Sequence, residues 1–198
     1  KNPFSIYDKK LKEVETIFLT LDELKRVENK IFNNRRLDVT RDIFLFSCYT
    51  SYAPVDVMNL RLGNYALDED YDNWLKTRRK KTNVKTNVLV IPQLKRIIEK
   101  YKNDPECVDE NRLIPNRSNS NMNAYLKEIA DLCQIDKHLT WYVGRHTFAT
   151  TVALANEIPM EVNSKIMGHK RISQTQHYAK LMDKDIKKHM KKLNDNFQ

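Results

Sequence analysis

Two polar stretches late in the chain carry the side chains best suited to chemistry. In "GHKRISQTQHYAKLM", residues 168–182, Tyr178 sits among Gln, His and Lys instead of among Leu and Ile. A tyrosine placed this way is a packing residue, a hydrogen-bonding group or a nucleophile. In "TWYVGRHTFATT", residues 140–151, Arg145 follows Tyr142 by three at the expected start of a helix, so both face one way. A guanidinium at a helix N-terminus opposes the dipole, and a phosphate drawn by the same amides would offset that cost. A plain surface arginine is the competing reading.

The charge of the chain points to the same class of partner. Lys and Arg total 35 against 26 Asp and Glu, a formal charge of +9 over 198 residues. Such an excess favours a polyanion, and nucleic acid ranks ahead of membrane because no basic amphipathic Trp/Phe-rich helix is present. Its distribution is uneven. From Asn73 to Ile98 there is no acidic residue, while Lys76, Arg78, Arg79, Lys80, Lys81, Lys85, Lys95 and Arg96 are basic. A solvated charge run would look the same.

These side chains need a scaffold, and the pattern predicts a mostly α fold with one small three-stranded antiparallel sheet. Thr20 and Glu23 in "TLDEL" form a capping box for a helix over about 21–33. "TRDIFLFSCYTS", 40–51, reads as a buried helix, and Pro54 suits the first turn of a short one, "PVDVMNL". Between 61 and 91, "LGNYAL", "WLKTRRK" and "TNVLVIP" are short, strand-favouring and separated by Asp and Asn. Helical periodicity then returns to the end of the chain, punctuated by Pro159 and Gly168.

Other classes are disfavoured. There is no long apolar run and no signal-peptide pattern, which predicts a soluble, cytoplasmic protein with no membrane partner. Cys48, Cys107 and Cys133 are odd in number and lack metal-ligand spacing, so they are expected as buried thiols with neither disulfide nor zinc. No carboxylate cluster is spaced for Mg²⁺ and no cofactor is expected.

The ordered boxes resemble the tyrosine recombinase (phage integrase) family, whose "HxxRHTFAT" box is followed by "LGH" and then by "THYA" or "QHYA". The resemblance runs from about residue 21 to the end. It implies the catalytic-domain fold of the DNA breaking-rejoining enzymes. It also implies site-specific recombination or integration on double-stranded DNA for a mobile element, through a 3′-phosphotyrosine intermediate without metal or ATP. On the matching positions Tyr178 is the nucleophile, Arg145 the second arginine and His169 the residue after the glycine. Lys81 in "RRKKTNV" matches the hairpin lysine that protonates the departing 5′ oxygen. Arg78, Lys80 and Lys85 are expected on DNA. Tyr178 would reach out of its helix to the phosphate.

Two positions depart from that pattern. "TSYAPVDV" puts Ala53 where the family's "TGLR" box has its first arginine. A lost donor of this kind typically costs on the order of 10² to 10³ in rate. Arg79 lies two before Lys81, hence on the same strand face, and is the candidate replacement; a DNA-backbone contact is its other reading. Tyr142 stands at the histidine of "HxxR", either as a hydrogen-bond partner of the phosphate or Tyr178, or as a packing aromatic. With a reference pKa near 10, it would be a poor base. Asp56 orients basic groups or caps its helix, and His146 and His177 are read as structural.

The expected organisation is an arm over 1–18, a catalytic domain over 19–182 and a tail over 183–198. In that tail Ile186, Met190 and Leu193 are spaced as in an amphipathic helix, which either folds back on its own domain or, as the resemblance implies, docks on a neighbouring protomer in a DNA-bound tetramer. DNA-binding parts upstream are expected for a full enzyme. A catalytically impaired DNA-binding module of the same fold, or a type IB topoisomerase relative, are the alternatives.

Overall fold

The structure is a computed structural model and describes residues 16–179. The expected tail helix, and most of the expected arm, lie outside the described residues.

Nine α-helices and three strands are described. α1 is Leu21–Asn29, α2 Arg35–Thr50 and α3 Pro54–Met58; then β1 Tyr65–Leu67, β2 Asn73–Arg78 and β3 Lys85–Leu89. Six further helices follow: α4 Pro92–Tyr101, α5 Pro105–Asp109, α6 Asn119–Leu132, α7 Trp141–Thr147, α8 Met160–Met167 and α9 Ser173–Ala179. The expected helical fold with one small sheet is what forms.

The capping box at α1 is present in both directions, Thr20 N donating to Glu23 Oε2 at 2.7 Å and Glu23 N to Thr20 Oγ1 at 3.3 Å. α1 stops at Asn29, short of the expected residue 33. Lys30 turns extended and Asn34 caps the next helix, accepting from Arg36 N at 3.0 Å. α2 therefore starts at Arg35, five residues before the apolar run. Its first turns are polar in sequence, yet Leu37 and Val39 are buried.

α2 is buried nearly all round and forms the axis of the core, with α1, α4, α6 and α7 packed on it. α7 comes closest. A Cβ on Gly144 would lie 2.9 Å from Ser47 Cβ, so only glycine permits this approach, and Trp141 Nε1 donates to Ser47 Oγ at 2.8 Å. The fully buried Phe44, Phe46 and Trp141 each contribute roughly 1.5–3 kcal/mol by leaving water.

The sheet order is β1-β2-β3, antiparallel throughout, with Leu75 opposite Val88 and Arg78 opposite Lys85. On β3, Thr86 and Val88 are buried while Lys85, Asn87 and Leu89 are exposed, so one face packs and the other meets solvent. All three cysteines are buried.

Beyond α7 the helix continues through a π-wound segment, Phe148–Ala153. Thr147 and Thr150 donate back to the carbonyls of Val143 and His146 at 2.9 Å, as threonines do in distorted helices. The same face receives the lead-in chain. Leu19 N donates to Thr147 Oγ1 at 3.0 Å, and Thr151 Oγ1 donates to Leu19 O.

Candidate active site

A cleft of about 680 Å³ opens between α3, the β2–β3 turn, α7 and the C-terminal end of α8. Its walls include Ala53, Asp56, Arg79, Lys81, Tyr142, Arg145 and His169. Five of the six expected site residues are thus brought together.

Ser51 organises the cationic end. It caps the C-terminus of α2 in the left-handed region, at φ 63°, and is fully buried. A non-glycine residue there is uncommon and is held by its surroundings. That turn aims its carbonyl at two guanidiniums: Arg145 Nη1 donates to it at 2.6 Å and Arg79 Nη2 at 3.0 Å. The Ser51 hydroxyl accepts from the same two groups at 3.2 and 3.0 Å. Ser51 stands at the glycine of the "TGLR" pattern, a signal for positive φ that could have pointed to it.

Arg145 is the fifth residue of α7, not its first, so the helix dipole does not explain its position. The guanidinium is held instead by Ser51, by Met167 O at 2.9 Å and by His169 Nε2 at 2.8 Å. Burial and the neighbouring Arg79 pull its pKa down to about 10, which leaves it charged at neutral pH.

Arg79 reaches the cleft by a route other than a shared strand face. β2 ends at Arg78, and Lys81 lies exposed in the turn beyond. Arg79 itself is buried; Nη1 pairs with Asp56 Oδ2 at 2.9 Å, and Asp56 Oδ1 also accepts from Lys80 N at 2.8 Å. Asp56 therefore orients the basic segment. Arg79 and Arg145 face this single carboxylate among the described cleft residues, so the pocket is cationic.

His169 is delivered by the end of α8. Gly168 adopts φ 65°, with its N–H bonded to Lys165 O at 3.0 Å and the His169 N–H to Ser164 O at 3.1 Å, a Schellman cap. A Cβ on Gly168 would fall 2.7 Å from Arg79 Cγ, so this glycine also leaves room for Arg79. Arginine only donates, so His169 Nε2 accepts and its proton sits on Nδ1, which donates to Thr175 Oγ1 at 2.7 Å. Burial together with Arg145 and Arg79 lowers the imidazole to about 4, so it is neutral.

Tyr178 does not line the cleft. It is buried, 5% exposed, and packs with Phe148, Ala149, Ala153 and Met167 instead of reaching outward. Burial raises its phenol to about 12. Its hydroxyl lies 2.9 Å from His146 Nδ1, so the partner is His146 and not Tyr142. Tyr142 is half exposed and sets its ring edge on His146, centroids 5.3 Å apart. His146, expected to be structural, is the group that meets the Tyr178 hydroxyl, a contact the boxes do not signal. His177 does hold structure: its Nε2 is 2.7 Å from Thr16 Oγ1, tying α9 to the lead-in chain.

Arg78, Lys80 and Lys85 are exposed on the hairpin beside the cleft mouth. Among the described residues no group of three or more His, Cys, Asp or Glu is placed to hold a metal ion, and no described helix is long and apolar enough to cross a membrane.

Comparisons with known proteins bear on the family and the fold. A tyrosine recombinase of Agathobacter rectalis is 32% identical over 100 residues, which span 46% of this chain and 32% of that relative. The XerA recombinase structure superposes with a TM-score of 0.71 at 21% identity, over 97% of this chain and 69% of that one. The Tn1549 transposon integrase in complex with a circular intermediate DNA gives 0.67 at 18%, over 90% and 67%. A lambda integrase tetramer bound to a Holliday junction gives 0.63 at 16%, over 84% and 49%. At such identities the structures establish the fold, and the sequence pattern of the family matches residues 13–185. With that pattern running through both the cationic cleft and the Tyr178 helix, the chain belongs to the phage integrase family.

Proposed function

We propose that this chain is the catalytic part of a site-specific DNA recombinase or integrase that cleaves and rejoins duplex DNA through a 3′-phosphotyrosine. The observation that carries the reading is the convergence of Arg79 and Arg145 on Ser51, beside neutral His169 and with one facing carboxylate. A phosphodiester gathers charge on its non-bridging oxygens as a phenolate attacks, and fixed guanidiniums stabilise that charge.

In this reading Arg145 and Arg79 hold the scissile phosphate and His169 donates or accepts at its oxygens. Lys81, on the turn at the mouth, protonates the 5′ oxygen as Tyr178 attacks. Arg79 fills the charge that Ala53 cannot supply. Arg78, Lys80 and Lys85 grip the flanking backbone. Tyr178 shifts toward the cleft when DNA occupies it, with its hydroxyl still within reach of His146, and further copies of the chain assemble on the DNA for strand exchange. The tetrameric assembly of lambda integrase on a junction supports that last step.

The test is a nicked duplex with a 5′-bridging phosphorothiolate at the scissile position. A covalent adduct that survives denaturation is expected, and Tyr178→Phe should abolish it. An adduct that persists in Tyr178→Phe, or none with the native chain on any recombination-site DNA, removes the reading.

A further inference from the structure

The proposed reaction leaves the phenolic proton of Tyr178 without a destination, and Tyr142 is a poor acceptor at the position where the family pattern has histidine. The hydroxyl of Tyr178 already has a basic partner. His146 Nδ1 stands 2.9 Å from it, with ring centroids 5.7 Å apart. His146 lies one helical turn after Tyr142 on α7, and the Tyr142 ring edge braces it from the cleft side. From α9, His177 packs edge-on against Tyr178 at 5.8 Å and is anchored to Thr16.

From this geometry, and resting on the reading above, we infer that His146 is the general base of Tyr178, taking the phenolic proton at Nδ1 during cleavage and returning it during rejoining. A phenol is a stronger acid than a neutral imidazole N–H, so the stable arrangement has the hydroxyl donating and the imidazole proton on Nε2. In cleavage the Tyr178 O–H breaks as N–H forms at Nδ1 and O–P forms. The P–O5′ bond breaks, with its electron pair protonated from Lys81. Rejoining reverses each transfer, so no proton is gained or lost over the cycle.

The charged and titratable groups that face His146 are Tyr142 and Arg145 on its own helix and His177 and Tyr178 on α9. Burial and Arg145 lower its pKa to about 4, so the lone pair is available throughout the neutral range. A phosphate in the cleft would offset Arg145 and favour the transient imidazolium at the moment it forms.

Single-turnover cleavage at saturating DNA tests the assignment, with the full chain as His146→Ala and as His146→Gln. Glutamine keeps a polar contact to the hydroxyl without a basic nitrogen, so folding is preserved while the base is lost. Both variants should cleave about 10²-fold more slowly. The loss should be the same on phosphorothiolate DNA, whose thiolate leaving group needs no proton, whereas a Lys81→Ala loss should largely vanish there. Added imidazole should restore part of the His146→Ala rate. Cleavage by both variants at or above the native rate, or a loss cured by the phosphorothiolate, overturns the role of His146 while leaving the recombinase reading intact. A native chain that makes no Tyr178-dependent adduct removes both.

Discussion

Removing Arg79 separates its two expected effects. Its Nη1 pairs with Asp56 at 2.9 Å where the two side chains are 5% and 3% exposed, and Nη2 donates twice to Ser51. Arg79→Ala leaves Asp56 buried with the Lys80 amide as its remaining donor, and breaking such a pair costs about 3–5 kcal/mol of stability. Loss of a cation at the transition-state charge costs a further factor of about 10² to 10³ in rate, near 2.7–4 kcal/mol. The two are disentangled by Arg79→Met together with Asp56→Asn. Neutralising Asp56 removes the unpaired carboxylate, and the asparagine oxygen still accepts from Lys80 N. That double variant should regain most of the stability, read by chemical denaturation, and none of the rate, read by covalent adduct formation at saturating DNA. If Arg79 only grips DNA, raising the DNA concentration restores the rate. Native-rate adduct formation in the double variant would refute the catalytic role.

Three further outcomes follow from the geometry. Gly168→Ala places a methyl 2.6 Å from Thr86 Cγ2 and 2.7 Å from Arg79 Cγ at φ 65°. About 1–2 kcal/mol of backbone strain is expected, plus displacement of Arg79, with cleavage falling as in Arg79→Ala and a smaller stability cost when residue 79 is already alanine; full additivity in a denaturation cycle would show that the two do not touch. Replacing Arg78, Lys80 and Lys85 by glutamine should flatten the log–log salt dependence of DNA binding by about 0.9 per lost phosphate contact, measured by anisotropy titration, and an unchanged slope places DNA elsewhere. His146 and His169 are both depressed to about 4, so their contribution to stability is complete above the unfolded value near 6.5 and is lost as pH falls toward 4. Between those limits unfolding takes up protons, so stability should fall with falling pH, read by chemical denaturation across that range; replacing either histidine by glutamine should make the fall shallower, and an unchanged pH profile would refute the linkage.

The parts readable from sequence are those where one local rule decides. The capping box at Thr20 and Glu23, Pro54 at the first turn of α3, the three short strands and the left-handed stop at Gly168 each follow from residues within one turn of each other. The boxes around Arg145, His169 and Lys81 were legible because their order is a pattern, although Arg145 proved to be inside α7 and Lys81 past the end of β2. A strand face shared with Lys81 does not place Arg79, because β2 ends at Arg78. What places it is long-range: a buried pair with Asp56, the Ser51 turn, and the gap left by Gly168.

Tyr178 shows most clearly why the remainder was hidden. Its polar neighbours suggest a side chain facing outward, yet Thr175 and Tyr178, three apart, are the two buried residues of α9, while Gln174, Gln176 and His177 face solvent. The helical period is present, but it is written in a threonine and a tyrosine, which do not register as an apolar stripe. Both inward groups are polar because each holds a histidine: Thr175 fixes the tautomer of His169, and Tyr178 meets His146. Arg145 and His146 are adjacent in the chain but point about 100° apart around α7, one into the cleft and one to Tyr178. Arg145 is legible from its box alone, whereas the packing of α9 on the π-wound turn after α7 is what sets the neighbouring His146 against Tyr178, so that in the proposed reaction these two adjacent residues would serve opposite partners.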